Sequence, residues 1–166
     1  MKHLIIVRHA KSSWDNSSLA DINRPLNERG EKDAPRMARR LAERSVHPQQ
    51  MISSPAVRAM TTCEEFAKVL RFPGEQVQSL KPVYHASADT LFGVVRQIRE
   101  MKSDGPVMLF GHNPGLTDFA NDLLDEDFDS IPTTGVVSAK LDIRTWSEAG
   151  PGCGTLEFFD YPKKDN

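Results

Sequence analysis

Four side chains of this 166-residue chain have the chemistry that phosphoryl transfer needs, and each lies near a point where an apolar run gives way to a polar segment. They are Arg8, His9, Arg58 and His112. Two guanidinium groups offer forked hydrogen-bond donors that match the oxygens of a phosphate. An imidazole among such donors can attack phosphorus and carry the phosphoryl group covalently, and a second imidazole can stabilise a transferring oxygen. The set predicts a phosphate pocket in which His9, at the end of an apolar run, is the nucleophile.

The elements that must position these groups follow from the apolar pattern. Residues 4–7 and 107–110 are apolar throughout, as in strands that are covered on both faces, and residues 50–53 are typical of another short strand. Apolar residues at helical spacing predict four helices, with starts near Glu31, at Ser54, at Ser87 or Asp89, and near Leu116. Pro35 fits the first turn of the first of these helices.

Strands that alternate with helices predict a three-layer α/β sandwich, one domain over residues 1–166. Its central sheet is mostly parallel, with helices on both faces. A short strand within 77–84 and an antiparallel C-terminal hairpin, half-exposed along 137–143, complete the sheet. Ligands bind beyond the carboxyl ends of the strands in this architecture, so the site residues should converge there. The irregular segment 11–29 is long for a compact domain and indicates a functional loop.

Composition narrows the class of ligand. The net charge is −2, from 21 basic and 23 acidic residues, which gives no electrostatic case for nucleic acid or an anionic membrane as partner. Cys63 fits a buried core position and Cys153 a turn. The apolar run after Met1 is too short for a signal peptide or a membrane span, so a cytoplasmic location is predicted. No metal or organic cofactor is predicted, and residues 163–166 are expected to fray.

Each candidate taken alone has a simpler interpretation, because Arg8-His9 could be a surface contact, Arg58 an exposed helix cation and His112 a turn residue. A metal site is a further alternative, in which His9, His112 and a carboxylate ligate zinc or iron. The two arginines argue against a pocket built for a dication. The other histidines complete no recognisable metal spacing: His3, His47 and His85, the last of which could line the pocket.

Four segments, in their order along the chain, resemble the signatures of the histidine phosphatase superfamily. They are Arg8-His9-Ala10, residues 25–30, residues 53–59 and residues 111–115. Within that family, the stretches RHAKSSW, DINRPLNERG and GHNPGLTDF resemble the SixA-type phosphohistidine phosphatase branch. The resemblance implies a phosphoglycerate mutase-like fold and a metal-independent phosphatase.

The resemblance also implies roles for individual residues. His9 would be the phosphorylated nucleophile, and Arg8, Arg58 and His112 would form the phosphate pocket. Further candidates for contact with the substrate are Ser12, Lys11, Arg24 and Asn113, although Arg24 could instead pair with Asp21. Two departures stand out. Ala10 replaces the glycine of the signature, and Asp15 replaces a phosphate-contacting asparagine, so it is expected to turn away and cap or pair with a cation.

The segment that usually supplies a leaving-group acid in the family is residues 84–89, and it contains no glutamate. Asp89 is its only carboxyl group and suits the first turn of a helix, although Asp89 or Asp21 could still act. An alkoxide leaves poorly without a proton, whereas an imidazole can leave as a neutral ring. Phosphohistidine on a partner protein, such as a phosphotransfer domain, is therefore the expected substrate. A small-molecule phosphomonoesterase and a non-catalytic phosphate or phosphoprotein binding module are the alternatives.

Overall fold

A six-stranded sheet forms the centre of the computed structural model, which describes residues 1–164. The strands are β1 Lys2–Arg8, β2 Gln50–Ser53, β3 Gln78–Ser79, β4 Val107–Gly111, β5 Val136–Leu141 and β6 Gly154–Asp160. They lie in the order β3-β2-β4-β1-β5-β6. The pairs β3–β2, β2–β4 and β4–β1 are parallel, and β5 is antiparallel to both β1 and β6. This confirms the predicted mostly parallel sheet and its antiparallel C-terminal hairpin.

Helices cover both faces of the sheet. They are α1 Glu28–Glu43, α2 Val57–Val69, α3 Ala88–Arg96 and α4 Gly115–Leu124. Because successive side chains of a strand point to opposite faces, Leu4 and Ile6 pack with α3 and α4, whereas Ile5 and Val7 pack with α1 and α2. All four side chains are fully buried. The apolar run of β1 is continuous because this strand lies in the middle layer and is covered by helices on both faces. The predicted three-layer sandwich is confirmed.

The start of α1 lies earlier than the sequence predicts. The side chain of Asn27 accepts a hydrogen bond from the N–H of Gly30 at 2.9 Å, so the helix begins at Glu28. Pro35 therefore lies inside the helix, and the prediction that it occupies the first turn is wrong. Its missing N–H removes one backbone hydrogen bond of α1.

Serine side chains set the turns before α2 and α3. Ser54, predicted to open α2, accepts the N–H of Ala56 at 3.1 Å in a turn that precedes the helix. Ser87 caps α3 by accepting the N–H of Thr90 at 3.2 Å, which confirms it as one of the two predicted starts. Ser54 directly follows β2, so the sequence places the turn before α2 correctly but misses the first helical residue, Val57.

Three peripheral predictions have different outcomes. The short strand within 77–84 is present at Gln78–Ser79, and a 3-10 turn follows at Lys81–Val83. The half-exposure predicted along 137–143 is present at Lys140 and Asp142, which are exposed, but not at Ser138, which is buried. Cys63 is buried as predicted, and Cys153 is partly exposed. The N–H of Lys164 donates to the carbonyl of Tyr161 at 3.0 Å, whereas Asp165 and Asn166, also expected to fray, lie outside the described residues.

Candidate active site

The carboxyl ends of β1, β2 and β4 bring three loops to one edge of the sheet. The N–H of His9 donates to the carbonyl of Gly111 at 3.1 Å, and the N–H of Ser54 donates to the carbonyl of Phe110 at 3.1 Å. These bonds continue the parallel ladders just past the strands, so the loops leave the sheet from a common line. Because the strands are held on both sides, the side chains that follow them start from a rigid base.

The loops enclose an open cavity of about 350 Å³. It is lined by Arg8, His9, Lys11, Ser12, Trp14, Asp21, Arg24, Arg58, His85, His112, Asn113 and Thr133. Every candidate named from the sequence is in this set except Asp89. Asp89 is exposed on the first turn of α3 and faces a different surface depression, beside Asp118 and Asp122. The position of Asp89 therefore does not support a role as leaving-group acid.

The imidazole of His9 is held with one defined nitrogen free. Its Nδ1 atom lies 2.7 Å from the carbonyl oxygen of Ala10. A carbonyl can only accept, so Nδ1 carries the hydrogen and Nε2 keeps its lone pair. His9 is 7% exposed, so this lone pair is at the floor of the cavity and not at the surface. The arrangement suits Nε2 as a nucleophile.

A buried threonine fixes the backbone that orients His9. The N–H of Ala10 donates to Oγ1 of Thr62 at 2.9 Å, and that hydroxyl donates to the carbonyl of Arg58 at 2.7 Å. Ala10 is fully buried and is not among the residues with positive φ. An alanine in place of the signature glycine is thus accommodated without backbone strain. Thr62 couples the β1 loop to α2, and no sequence signal identified it.

His9 and His112 are both neutral at physiological pH. Burial lowers the pKa of His9 to about 4, with the bond to the Ala10 carbonyl opposing and the charges of Arg58 and Arg8 adding to the shift. Burial also lowers the pKa of His112 to about 3, helped by the charge of Arg58 and by His9, which is itself protonated at such a low pH. A neutral His9 retains the lone pair that an attack on phosphorus requires.

His112 follows β4 and lies beside His9 at the floor of the cavity. The centroids of the two rings are 5.2 Å apart. Nε2 of His112 lies 2.8 Å from Oγ of Ser54, while Nδ1 is buried and has no partner among the described residues. With the Ser54 hydroxyl donating to Nε2, Nδ1 carries the hydrogen, and it is then a donor without an acceptor.

Arg58 is buried and Arg8 is partly buried, and the protein satisfies each guanidinium only in part. Arg8 donates from Nη1 to the carbonyl of Ile131 at 2.9 Å, and Arg58, whose side chain is 2% exposed, donates from Nη1 to the carbonyl of Asp21 at 2.7 Å. Within residues 1–164, Nε of each arginine is buried without a partner. Unsatisfied buried donors are costly, and a bound oxyanion is the kind of group that offsets such a cost.

A residue with a strained backbone, Thr134, is hydrogen-bonded to the backbone of Arg8 and His9. Thr134 is fully buried, has φ of 60°, and donates its N–H to the carbonyls of Arg8 and His9, both at 3.1 Å. Positive φ is rare for a β-branched residue and persists where the surroundings determine it. The strain is therefore associated with the backbone that carries the nucleophile.

Arg24 lies in the cavity wall and is held from three sides. Nε donates to Asp21 at 3.2 Å, Nη1 donates to Oγ of Ser12 at 2.7 Å, and the guanidinium carbon lies 3.6 Å from the centre of the Trp14 ring. The expected pair with Asp21 is thus present. Ser12, a predicted substrate contact, uses its hydroxyl to orient Arg24, while Trp14 covers the guanidinium from the solvent side.

Two other predicted contacts differ in their availability. Lys11 is exposed at the cavity. Asn113 donates from Nδ2 to Oγ of Ser130 at 3.0 Å and to the carbonyl of Ile131 at 2.9 Å, and it accepts from Thr117 at 2.8 Å. Its amide hydrogens are therefore already engaged in holding the loop after α4.

Sequence analysis assigns Asp21 and His85 minor roles and none to Tyr84, yet the structure places Asp21 and His85 in the cavity lining and Tyr84 in contact with both. Oδ2 of Asp21 accepts from Nη2 of Arg58 at 3.0 Å, from Nε2 of His85 at 2.9 Å and from the Tyr84 hydroxyl. Burial acts to raise the pKa of Asp21, but the bonds from Tyr84, His85 and Arg58 outweigh it and hold that pKa well below its ordinary value. Asp21 is therefore an ionised carboxylate beside a phosphate-binding arginine.

Packing of the loop after β4 explains why His85 comes so close. There is no room for a Cβ at Gly115, because the carbonyl oxygen of Ala86 occupies that position. The glycine therefore lets the segment around His85 approach the His112 loop, and the His85 and His112 ring centroids are 4.8 Å apart. In the sequence, only the pattern Gly-His-Asn-Pro-Gly indicates that another segment approaches this loop closely, and it does not show which segment that is.

Asp15, the second departure from the signature, lies away from the cavity lining. It is exposed, and it forms no ion pair within residues 1–164, so the predicted pairing with a cation is not seen. Its N–H donates to Oγ of Ser13 at 3.1 Å.

In the part of the chain that the structure describes, no group of three or more His, Cys, Asp or Glu side chains is arranged to hold a metal ion. None of the helices described is both long enough and apolar enough to cross a membrane.

Comparisons with known proteins agree with this geometry. A family model, described as histidine phosphatase superfamily (branch 1), matches residues 4–90. An uncharacterised chloroplastic protein of Arabidopsis thaliana is 30% identical over 167 residues, which cover 94% of this chain and 76% of the relative.

Solved structures share the fold at low sequence identity. The protein histidine phosphatase SixA in complex with tungstate has a TM-score of 0.79 at 21% identity, over 96% of both chains. A protein assigned as SixA from Agrobacterium tumefaciens has a TM-score of 0.75 at 24% identity, over 97% of this chain and 98% of that chain. A mycobacterial glucosyl-3-phosphoglycerate phosphatase has a TM-score of 0.72 at 15% identity, over 98% of this chain and 100% of that chain.

Proposed function

The chain belongs to the histidine phosphatase superfamily, and from this premise we propose that it is a phosphatase that removes phosphoryl groups from histidine side chains of a partner protein. The observation that carries the proposal is the state of His9. Its Nε2 lone pair is free, its Nδ1 hydrogen is bound to the Ala10 carbonyl, and two arginines line the same cavity. These features are what a nucleophile toward phosphorus needs.

The reaction proceeds in two displacements. Nε2 of His9 attacks phosphorus while the bond to the leaving group breaks, which gives phospho-His9. The Ala10 carbonyl, 2.7 Å from Nδ1, stabilises the positive ring that forms. Arg8 and Arg58 bind the equatorial oxygens, and His112 donates to the oxygens as their charge shifts. Water then attacks phosphorus, phosphate leaves, and His9 returns to its neutral form.

The carboxyl groups of the pocket favour a leaving group that needs no acid. Asp21 is ionised and holds no proton to give, and Asp89 lies outside the cavity. An alkoxide therefore lacks a carboxylic acid to protonate it. A phosphorylated imidazole that is protonated on its far nitrogen leaves as neutral imidazole, whose conjugate acid has a pKa of about 6.5.

The shape of the site favours a protein as substrate. The cavity, of about 350 Å³, is open to the surface, so a phosphorylated side chain of another protein can enter it. Trp14, 75% exposed, lies in its wall and offers an aromatic surface of the kind found in protein interfaces. SixA, a structural relative described as a protein histidine phosphatase, was solved with tungstate, a phosphate-like oxyanion. A cytoplasmic location remains a prediction, and the Arabidopsis relative is described as chloroplastic.

A small-molecule phosphomonoesterase is the second candidate. It is favoured by the shared fold of the mycobacterial phosphatase, whose described substrate is a phosphorylated sugar derivative. This candidate predicts fast turnover of alkyl phosphates. A non-catalytic binding module on the same scaffold predicts binding without release of phosphate.

The test compares a phosphohistidine protein and an alkyl phosphate, offered side by side and followed by intact-protein mass spectrometry and phosphate release. Wild type should clear the phosphohistidine and spare the alkyl ester. His9→Ala should lose activity by at least about 1,000-fold because the nucleophile is gone. His47→Ala, at an exposed histidine outside the cavity, is the matched control and should behave as wild type.

Two results would contradict the proposal. Faster cleavage of the alkyl ester would favour the phosphomonoesterase. Retention of bound phosphoprotein without phosphate release would identify a binding module.

A further inference from the structure

A second imidazole, His85, forms a pair with a carboxylate in the wall of the cavity. Its Nε2 atom lies 2.9 Å from Oδ2 of Asp21. Because the carboxylate is ionised, it accepts, and Nε2 must carry the hydrogen. In the neutral ring Nδ1 then holds a lone pair. The arrangement is that of a catalytic histidine: an aspartate accepts from one ring nitrogen and orients the other for proton transfer.

The position of His85 relative to His9 suits the second displacement. His9 is 7% exposed at the floor, whereas the His85 side chain is 49% exposed and lines the same cavity. In an in-line displacement the attacking and leaving groups lie on opposite sides of phosphorus. The leaving group, and later the attacking water, must therefore approach from the open side. Of the imidazoles lining the cavity, His85 is the exposed one, and the proton of that water must be released on this side.

The conformation of His85 is strained and held by its neighbours. Its φ is 48°, in the left-handed region that non-glycine residues rarely occupy. Tyr84 packs against it with ring centroids 4.3 Å apart, and the Tyr84 hydroxyl donates to the same Asp21 oxygen. Backbone strain of this kind concentrates at functional sites. This backbone conformation places the imidazole of His85 against the carboxylate of Asp21, in the wall of the cavity.

The charges around the pair come from several elements. Nη2 of Arg58 bonds to Oδ2 of Asp21 at 3.0 Å, and Nε of Arg24 bonds to Oδ1 at 3.2 Å. Nη2 of Arg58 also lies 3.5 Å from Nε2 of His85, but both nitrogens carry hydrogens, so this contact is no strong hydrogen bond. Asp21 therefore faces two guanidinium groups, and among its partners His85 is the one with a second ring nitrogen, Nδ1, left free to accept a proton.

We propose that His85, oriented by Asp21, is the general base that accepts a proton from the water that hydrolyses phospho-His9. The inference rests on the proposed function, because it requires the phospho-His9 intermediate. In the step, the water oxygen forms a bond to phosphorus, and one water proton moves to Nδ1 of His85. The bond between phosphorus and Nε2 of His9 breaks, its electron pair returns to Nε2, and phosphate leaves. His85, being half-exposed, then passes its proton to solvent.

The simpler alternative is that the pair only holds Arg58 in place. That role would affect the formation and the hydrolysis of phospho-His9 alike, because Arg58 serves both displacements. A general base for water affects hydrolysis alone. The two rate constants therefore separate the alternatives.

The experiment measures both rate constants by rapid quench and mass spectrometry, with a phosphohistidine protein in excess. His85→Asn and His85→Gly are the variants of choice, because asparagine and glycine both tolerate the positive φ at this position. Formation of phospho-His9 should stay within about twofold of wild type. Hydrolysis should slow by about 100-fold, the ordinary contribution of a general base, so that phosphoenzyme accumulates.

Two additions sharpen the result. Added imidazole should restore hydrolysis in His85→Gly, since the open cavity admits a free base, and a purely structural role predicts no such rescue. His47→Asn is the control for loss of an exposed histidine and should leave both rate constants unchanged.

Asp21 is a positioning residue in this proposal, and Asp21→Asn tests it separately. The substitution removes a negative charge that competes with phosphate for Arg58 and Arg24. Phosphate should therefore inhibit more strongly, while the hydrolysis rate constant falls. A merely structural aspartate would weaken phosphate binding and turnover together.

The outcomes are distinct. If His85→Asn slows formation and hydrolysis equally, or slows neither, the assignment of His85 is wrong and the phosphatase proposal stands. If wild type forms no phospho-His9 at all, the proposed function fails and this inference fails with it.

Discussion

Two cavities of the chain differ in size and in the chemistry that their lining residues allow. A depression of about 760 Å³ lies beside the edge strand β3, whereas the candidate active site measures about 350 Å³. The larger one is lined by apolar side chains and by Gln49, Gln50, Gln76, Gln78 and Gln97, and among residues 1–164 Arg99 is its only charged lining residue. The smaller one contains three arginines, three histidines, a lysine and an aspartate.

The difference between the two cavities follows from their place in the sheet. Three parallel strands end at the active site, so three loops contribute side chains to one small volume. The larger depression lies beside one two-residue edge strand and collects neutral amides, two of which bond to each other at 3.2 Å between Gln78 and Gln50. Convergence of charge at strand ends, and not volume, is what indicates a catalytic site.

Among variants that keep the nucleophile His9, substitution of Arg58 should reduce activity most, because it removes the forked hydrogen-bond donor. Arg58→Lys keeps the positive charge but loses the planar fork that matches phosphate oxygens. We expect kcat/KM for the phosphohistidine protein to fall by about 100- to 1,000-fold. Arg99→Lys, in the larger cavity, is the matched substitution and should change kcat/KM by less than about twofold. Equal losses at both arginines would remove the distinction between the cavities.

Stability should depend on pH because of the buried histidines. The pKa of His9 is about 4 in the folded chain against about 6.5 when unfolded, so below pH 6.5 the unfolded state binds a proton that the folded state does not. The free energy of unfolding should therefore fall by about 3 kcal/mol from this group as the pH drops from 7 to 4.

Chemical denaturation at a series of pH values checks this prediction. His9→Asn should make the dependence less steep by the share that belongs to His9, while the share of His112 remains, and His47→Asn, at an exposed histidine, should leave the dependence intact. The same dependence in His9→Asn and in wild type would show that His9 is not the group responsible.

Trp14 tests whether the smaller cavity is a docking site for a protein. Trp14→Ala should reduce kcat/KM for the phosphohistidine protein by about 10-fold, because the exposed ring contributes an aromatic contact. Free phosphohistidine should lose less than about threefold, since it does not reach the rim. A loss of equal size for both substrates would mean that Trp14 acts only by covering Arg24.

The smallest effect is expected at Asp89. Asp89→Asn should leave kcat/KM for phosphohistidine and for alkyl phosphates unchanged within about twofold, because its carboxyl group faces a different depression from the catalytic one. Steady-state kinetics on both substrates check this. A selective loss with alkyl phosphates would show that Asp89 reaches the site as a leaving-group acid.

The sequence predicts the strands that carry the site better than the loops that form the walls of its cavity. The buried runs of β1 and β4 are read from residues 4–7 and 107–110 because a strand covered on both faces must be apolar at every position. Arg8, His9 and His112 then follow, since the carboxyl ends of parallel strands meet. Pro35 shows the limit for helices, because the cap at Asn27 depends on a side-chain hydrogen bond that apolar periodicity does not report.

The walls come from loops, where no periodicity exists. Asp21 belongs to a single 3-10 turn at Asp21–Asn23, and nothing in its neighbours along the chain reveals that it meets Arg58 and His85. Thr62 looks like an ordinary helical threonine, yet it holds the backbone of Ala10. Such pairings join segments far apart in sequence, so they exist only once the chain is packed.

The residue types alone determined that this chain carries the groups for phosphoryl transfer at the ends of rigid strands, because apolar runs and the polar residues after them are local properties. The tertiary structure alone decided which nitrogen of His9 is free, that Asp21 is an ionised carboxylate inside the pocket, and that His85 rather than Asp89 lines the cavity. Protonation, tautomer and proximity depend on burial and on partners from other loops, and a linear sequence does not contain those distances.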